Sequence, residues 1–218
     1  MASGVLDFKK EYRDLYMPKA EPGVIEVPDM LFIMVDGRGD PNAEGGEYQQ
    51  AVELLYGLSY AIKMSKMGGK QPEGYFEYVV PPLEGLWWLD DDSPFDPAKK
   101  EKLCWTSMVR QPEFVTQEVF DRACRETAGK KPRLDTSKAR LQSFREGLCV
   151  QMMHRGPFDD EPETVAKIDA FLKAQNYRDA ISEVLPGGMV RRHHEIYLSD
   201  PRRTEPSKMK TVLRHPVK

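Results

Sequence analysis

The chain reads Met30-Leu31-Phe32-Ile33-Met34-Val35-Asp36 in its first quarter and Gly147-Leu148-Cys149-Val150-Gln151-Met152-Met153-His154-Arg155 beyond its middle, and these two stretches decide the fold. Both are apolar, and each is short enough to be one strand. Each also runs into a turn that contains an Arg-Gly pair, at Arg38-Gly39 and at Arg155-Gly156. The sequence therefore predicts two strands that open two similar units.

A helix-like segment follows each of these strands. Apolar residues keep the i, i+3, i+4, i+7 spacing over about 47–67 and again over about 161–175. Two strand-like runs follow each helix: 75–80 with its continuation 86–89, then 103–110, and in the second unit 190–198 and 208–214. The order strand, helix, strand, strand thus occurs twice. We predict an α+β fold in which duplicated modules form an antiparallel sheet, with helices on one face and a ligand cleft on the other.

The length of 218 residues suits one domain with two halves. We expect a single domain over 1–218, with module one at about 28–112, a helical connector at about 113–144 and module two at about 145–216. In the connector, Thr116 is the expected N-cap of a helix.

Composition excludes several classes of partner. The net charge of −3 offers no basic excess to neutralise a nucleic-acid backbone. No apolar run approaches the roughly 18 residues that span a bilayer, and the first thirty residues contain no apolar core of a signal peptide. The three cysteines form no CxxC pair. Reduced thiols and a cytoplasmic location are expected.

Common catalytic motifs are missing. Gly37-Arg38-Gly39 follows a strand, but Pro41 and Asn42 interrupt the glycine pattern that binds dinucleotides, so we interpret it as a turn. His193 and His194 are neighbours and would point to opposite faces of a strand, which disfavours a shared metal. A GxSxG nucleophile motif does not occur. The sequence predicts neither a metal nor a cofactor.

The C-terminal segment His193-His194-Glu195-Ile196-Tyr197-Leu198-Ser199-Asp200-Pro201 has the alternation of a strand that ends in a turn. Ile196 would face a core, while His193, Glu195 and Tyr197 would share the other face. A carboxylate on such a face is either solvated, paired with a cation or functional, because burying it without a partner is costly.

Aromatic and methionine side chains crowd the central strands. An aromatic concave face with one carboxylate is suited to flat, hydrophobic and often cationic molecules, since ring faces attract cations and the carboxylate supplies the counter-charge. Trp87 and Trp88 are adjacent, so a regular strand would turn only one of them to the ligand, and the sequence does not decide which one. The predicted ligand-binding residues are Tyr78, Trp88, Trp105, Met108, Met152, His154 and His193.

The segment 193–201, the turn His154-Arg155-Gly156-Pro157-Phe158 and the segment 105–112 together resemble the GyrI-like small-molecule-binding family. The resemblance extends from about Met30 to Arg214 and is strongest to the stand-alone bacterial branch. It implies two strand–helix–strand–strand modules around a central cleft that contains a glutamate, a position that Glu195 matches.

The resemblance also implies a function. Some stand-alone relatives hydrolyse the strained cyclopropane rings of DNA-alkylating natural products, which implies a detoxifying hydrolase with Glu195 and Tyr197 as its catalytic residues. A non-catalytic module that binds or sequesters drugs is the alternative, and a modulator of a topoisomerase is a weaker one. The DNA-binding role of fused relatives does not carry over. The expected partners are hydrophobic or cationic aromatic small molecules, and the sequence does not reveal an oligomeric state.

Overall fold

The computed structural model describes residues 4–69, 71–91, 93, 96 and 98–218. The strands are Leu6–Asp7 (β1), Gly23–Arg38 (β2), Tyr78–Val79 (β3), Leu83–Leu89 (β4), Leu103–Arg110 (β5), Ala139–Arg155 (β6), His193–Tyr197 (β7) and Lys210–Pro216 (β8). The α-helices are Phe8–Glu11 (α1), Arg13–Tyr16 (α2), Glu47–Lys63 (α3), Gln117–Lys130 (α4) and Glu161–Ala174 (α5). The predicted α+β class with an antiparallel sheet is confirmed.

The long helices form where the periodicity predicts them. The buried positions of α3 include Ala51, Leu55, Leu58 and Ile62, which form one stripe. A 3₁₀ turn continues the helix to Gly68, and Gly69 ends it with a positive φ of 67°.

The connector contains one α-helix, α4. Thr116 is its N-cap as predicted, since its Oγ1 accepts a hydrogen bond from the Val119 backbone N–H at 3.4 Å. The segment assigned to the connector extends too far, because β6 already begins at Ala139. Residues 139–144 have no apolar run to mark a strand; they become one by pairing with β2, from Val35↔Ala139 to Met30↔Phe144.

Six antiparallel strands close into a barrel in the order β2-β5-β4-β7-β8-β6. The order β2-β5-β4 of the first module matches β6-β8-β7 of the second, so the duplication is visible in the topology. The modules meet at the β4–β7 pair, where Gly85 lies opposite Glu195. The β2–β6 pair closes the ring. A separate two-residue parallel pair joins β1 to β3.

Helix packing shows which face of the barrel points outward. Ile168 of α5 packs in one cluster with Met152 and Leu213, and Tyr48 of α3 lies against Trp87. A ring of six strands leaves no room for a helix inside, since even eight strands enclose only side chains. The face covered by α3 and α5 is therefore the outer face, and the alternate residues point into the barrel.

Candidate functional site around Glu195

The outer face places Glu195 near the middle of a row of side chains that crosses five strands. The row runs Ser107, Gly85, Glu195, Leu213 and Met152. Gly85 matters because it has no side chain: a Cβ there would lie 2.6 Å from Trp87 Nε1 and 3.1 Å from Tyr197 Oη. The glycine thus lets an indole and a phenol meet directly beside the carboxylate.

Tyr197 is fixed by hydrogen bonds on both sides. Trp87 Nε1 donates to its hydroxyl oxygen at 2.8 Å. Burial, and then the charge of Glu195, raise the pKa of Tyr197 well above its ordinary value, and the two side chains are hydrogen-bonded to each other. Tyr197 therefore keeps its proton, and its hydroxyl donates a hydrogen bond to the Glu195 carboxylate. Phe158 packs edge-on against the Tyr197 ring at 5.8 Å.

His193 contacts the same carboxylate from its own strand. Its Nε2 lies 3.1 Å from Glu195 Oε1, and its Nδ1 lies 2.7 Å from His215 Nε2. Burial, followed by the neighbouring His193, lowers the pKa of His215 to about 3, so His215 is neutral in this pair. A neutral imidazole has one donor and one acceptor. His215 and His193 thus form a chain that ends on Glu195.

A second carboxyl group comes from the start of α5. Glu161 is the first residue of that helix, only 4% of its surface is exposed, and its side chain is hydrogen-bonded to Glu195. Burial, then the charge of Glu195, raise the pKa of Glu161 well above its ordinary value. Two carboxyl groups this close cannot both ionise at low cost. Glu161 is therefore protonated, and it donates a hydrogen bond to Glu195.

Tyr48 of α3 covers the site from the other side. Its ring centroid lies 5.4 Å from that of Trp87 and 5.2 Å from that of Trp105, and its hydroxyl is hydrogen-bonded to Tyr197. The candidate site thus lies between α3 and α5 on the outer face. The sequence analysis placed the cleft on the face away from the helices, whereas the Glu195 cluster shares a face with both of them.

A cavity of about 330 Å³ lies next to this cluster. Its wall includes Trp87 and Trp88, together with His193 and His215. The Arg192 guanidinium stacks over the Trp88 ring at 4.8 Å. Because His193 also contacts Glu195, the cavity and the carboxylate are separated by one side chain.

The inner face of β7 bears a different cluster. His194 lies between two carboxylates, with Nδ1 2.9 Å from Glu146 and Nε2 3.0 Å from Glu84, so both ring nitrogens donate and the ring is protonated. Arg214 Nη1 donates to Glu146 at 3.2 Å, and the Tyr16 hydroxyl of α2 donates to Glu84 at 3.2 Å. Opposite charges compensate each other inside the barrel, which is the condition for burying them.

The structure brings most of the predicted site residues to the outer face. These are Glu195, Tyr197, His193, Trp105, Met152 and His154, by strand register and contacts. His154 is already hydrogen-bonded, with Nδ1 2.8 Å from Thr164 Oγ1 and Nε2 3.1 Å from the Pro157 carbonyl. Its ligand-binding role, like the roles of the others, stays a prediction.

Three predicted residues lie elsewhere. Met108 pairs with Glu84 and so faces the barrel interior. Trp88 alternates with Trp87 and faces away from Glu195, although it reaches the wall of the cavity. Tyr78 belongs to β3, where its ring lies among Phe8, Tyr75, Phe76 and Phe114. The structure does not bring these three side chains to the carboxylate.

Sequence reasoning did not place Glu161, Tyr48 and Trp87 at this cluster, where the structure has them in contact with Glu195 or Tyr197. Glu161 follows Asp159 and Asp160, and acidic residues at a helix start are explained by the helix dipole alone. Trp87 was one of two alternatives, and the β4–β7 register settles which of them contacts Tyr197.

Donor atoms of Glu161, His193 and Glu195 all lie within 4.8 Å of one another, a spacing at which three side chains can share a metal ion. The hydrogen bonds described above already link these groups: Glu161 donates to Glu195, and His193 lies between Glu195 and His215. We therefore interpret the group as a hydrogen-bonded cluster.

Residues 20–218 match the family described as the GyrI-like small molecule binding domain. The chain belongs to the GyrI-like family. The resemblance predicted from the sequence is thereby confirmed.

A crystal structure of a hydrolase from Listeria innocua is 49% identical to this GyrI-like chain, covers 98% of it and 100% of its own chain, and has a TM-score of 0.85. A crystal structure of an uncharacterized conserved protein from Listeria innocua is 51% identical, with the same coverage and a TM-score of 0.88.

A more distant structural neighbour is the EcmrR C-terminal domain. It is 10% identical, covers 91% of this chain and 97% of its own, and has a TM-score of 0.53, which shows a shared fold alone. A comparison with curated proteins finds no match. None of the helices within the described residues has the length and apolar character needed to cross a membrane.

Proposed function

We propose that this GyrI-like protein binds lipophilic, often cationic or electrophilic xenobiotics and hydrolyses cyclopropane-containing DNA-alkylating compounds, which detoxifies them. The observation that carries the proposal is the hydrogen-bonded pair of Glu195 and Tyr197, one side chain away from a cavity lined by Trp87 and Trp88. The Listeria innocua neighbour described as a hydrolase, at 49% identity, supports a hydrolytic reaction.

The geometry suggests a role for each group. The oxygen of a water molecule forms a bond to a ring carbon as the strained carbon–carbon bond breaks, and Glu195 takes a proton from that water. The electron pair of the broken bond moves to a conjugated oxygen of the substrate. Once Glu195 has taken the proton, its hold on the donors weakens, and Tyr197 or His193 turns its hydrogen bond to this oxygen as it gains charge. The strain of the ring supplies much of the driving force, so a single positioned base is sufficient machinery.

Binding follows from the same side chains. The Trp87 and Trp88 rings offer flat apolar surface, and the Glu195 carboxylate supplies a counter-charge for a cationic ligand. Cys104, Cys124 and Cys149, all within the described residues, form no disulfide, which supports the cytoplasm as the site of detoxification.

The test is turnover of a cyclopropane-containing alkylator in large excess over the protein. Glu195→Gln keeps the shape of the side chain but removes the base, and the rate should fall roughly 10²- to 10⁴-fold. Glu163→Gln, an exposed position on α5, is the matched control and should behave like wild type. Tyr197→Phe should cost less, and the two effects should be non-additive because the side chains are in contact.

Two results would change the proposal. Equal rates for wild type and Glu195→Gln would remove Glu195 from the mechanism. Binding of a rhodamine-type dye, seen as quenched tryptophan fluorescence, without any turnover by wild type would identify a drug-binding module instead.

A further inference from the structure

The carboxyl pair formed by Glu161 and Glu195 has no permanent positive partner among the groups that act on Glu161. Both side chains are buried, with 4% and 6% of their surfaces exposed. The charges that act on Glu161 are those of Glu195 and Asp159, and both are acidic. A buried pair of like charges is costly, so something positive must be present to balance the second charge.

The other titratable groups around the pair come from three more elements. Tyr197 and His193 of β7 contact Glu195, Tyr48 of α3 lies within reach of its charge, and His215 of β8 stands behind His193. The tyrosines keep their protons, since burial raises their pKa values, and His215 is neutral. These neighbours donate hydrogen bonds, but they do not balance a second carboxylate.

We infer that Glu161 and Glu195 share one proton in the free protein and that a cationic ligand in the adjacent cavity displaces it. Cation binding at this site is then coupled to the release of a proton. The inference rests on the proposed function, because it names how the proposed site accepts a positive charge. It gives Glu161 a positioning role: while the proton is present, Glu161 orients the Glu195 carboxylate through their shared hydrogen bond.

Coulombic attraction makes the exchange favourable. In a site shielded from water, a cation near two carboxyl groups stabilises the doubly ionised pair more than the singly ionised one. The pair itself is shielded from water, with 4% and 6% of the two residues' surfaces exposed. In the cavity wall beside it, Trp87 is apolar and His215 is neutral. Arg192, Asp169 and Asp179 of that wall carry charge, with an acidic excess. A neutral ligand offers no such gain and should leave the proton in place.

The experiment is isothermal titration calorimetry with tetramethylrhodamine methyl ester, a lipophilic cation, in buffers of different ionisation enthalpy at constant pH. The dependence of the binding enthalpy on the buffer gives the number of protons released. Wild type should release about one proton per dye near neutral pH, and its affinity should rise by up to about tenfold per pH unit as the pH increases. Nile red, a neutral aromatic dye, should release none.

Glu161→Gln supplies the decisive comparison. Its amide donates the same hydrogen bond to Glu195 but has no proton to lose, so the dye should bind with little proton release and a flat pH profile. Glu163→Gln should match wild type. If Glu161→Gln fails to fold, the wild-type calorimetry with both dyes still decides the matter.

The outcomes separate the inference from the proposed function. Dye binding without proton release by wild type overturns the inference and leaves the binding site intact. No dye binding at any pH overturns both. A dye affinity that changes when the protein is treated with a chelator, or restored with zinc, would show that a metal ion and not a proton balances the pair.

Discussion

Replacing Glu146 by glutamine should destabilise the protein by about 3 kcal/mol at neutral pH. The carboxylate lies 2.9 Å from His194 Nδ1 and 3.2 Å from Arg214 Nη1, deep inside the barrel. Burial raises the pKa of Glu146, but His194 and Arg214 outweigh it and lower this pKa from 4.5 to about 2. The difference between a pKa of 4.5 and one of about 2, at about 1.4 kcal/mol per pKa unit, corresponds to about 3 kcal/mol of folding free energy.

The sign of the pH dependence follows from the lowered pKa. Stabilisation by Glu146 is fully present above the unfolded-state pKa of about 4.5 and is lost as the pH falls towards 2. Glutamine stays neutral throughout, so the variant should lack this part of the acid dependence. His194 acts in the opposite sense: burial lowers its pKa, the two carboxylates raise it more, and its stabilisation is lost as the pH rises through the raised value.

Urea unfolding at a series of pH values, followed by tryptophan fluorescence, measures both quantities. Glu26→Gln is the control, because Glu26 forms an exposed ion pair with Arg145 at 3.2 Å and should change stability by no more than about 0.5 kcal/mol. The reasoning would be refuted if Glu146→Gln cost less than about 1 kcal/mol at neutral pH, or if it kept the acid dependence of wild type.

Two further predictions concern the outer face and the thiols. Gly85→Ala should lower turnover by at least about tenfold and also lower Tm by several degrees, because the new Cβ would displace the buried Trp87 indole and misplace Tyr197. An unchanged rate, with near-UV circular dichroism like that of wild type, would contradict this prediction. Cys149 is fully buried and burial raises its thiol pKa, so iodoacetamide should label it only after unfolding, as read by mass spectrometry. Native labelling of Cys149 as fast as that of the half-buried Cys124 would argue against this.

Local patterns predicted the elements but not their closure. The strand at 103–110 was readable as a short run rich in apolar residues, and the helix that begins at 47 was readable from apolar residues at helical spacing. The first part of β6 has no such signal, since residues 139–144 are mixed and become a strand only by pairing with β2. Barrel closure depends on that distant pairing, which no local pattern reports.

Side-chain direction was harder to predict than strand position. Trp88 and Met108 were placed on predicted strands, yet both side chains point away from Glu195. Alternate residues of a strand face opposite sides of the sheet, so the face of each side chain depends on the pairing register, which the sequence does not give. Tyr78 was assigned to the same strand as the tryptophans, but the chain breaks there into β3 and β4. His193, Glu195 and Tyr197 were grouped correctly because they lie two residues apart on one strand, where alternation alone decides.

Five residues of β7 divide two tasks between alternate positions. His194 and Ile196 point into the barrel, and His193, Glu195 and Tyr197 point out towards the helices. Selection for folded abundance should therefore act on the inward positions, where substitutions would lower the amount of folded protein. Selection for ligand recognition should act on the alternate, outward positions, where substitutions would leave the protein abundant but change what it binds. New ligand preferences can then arise by exchange of outward residues, whereas an insertion or deletion of one residue in this strand would exchange the two sets and abolish both properties at once.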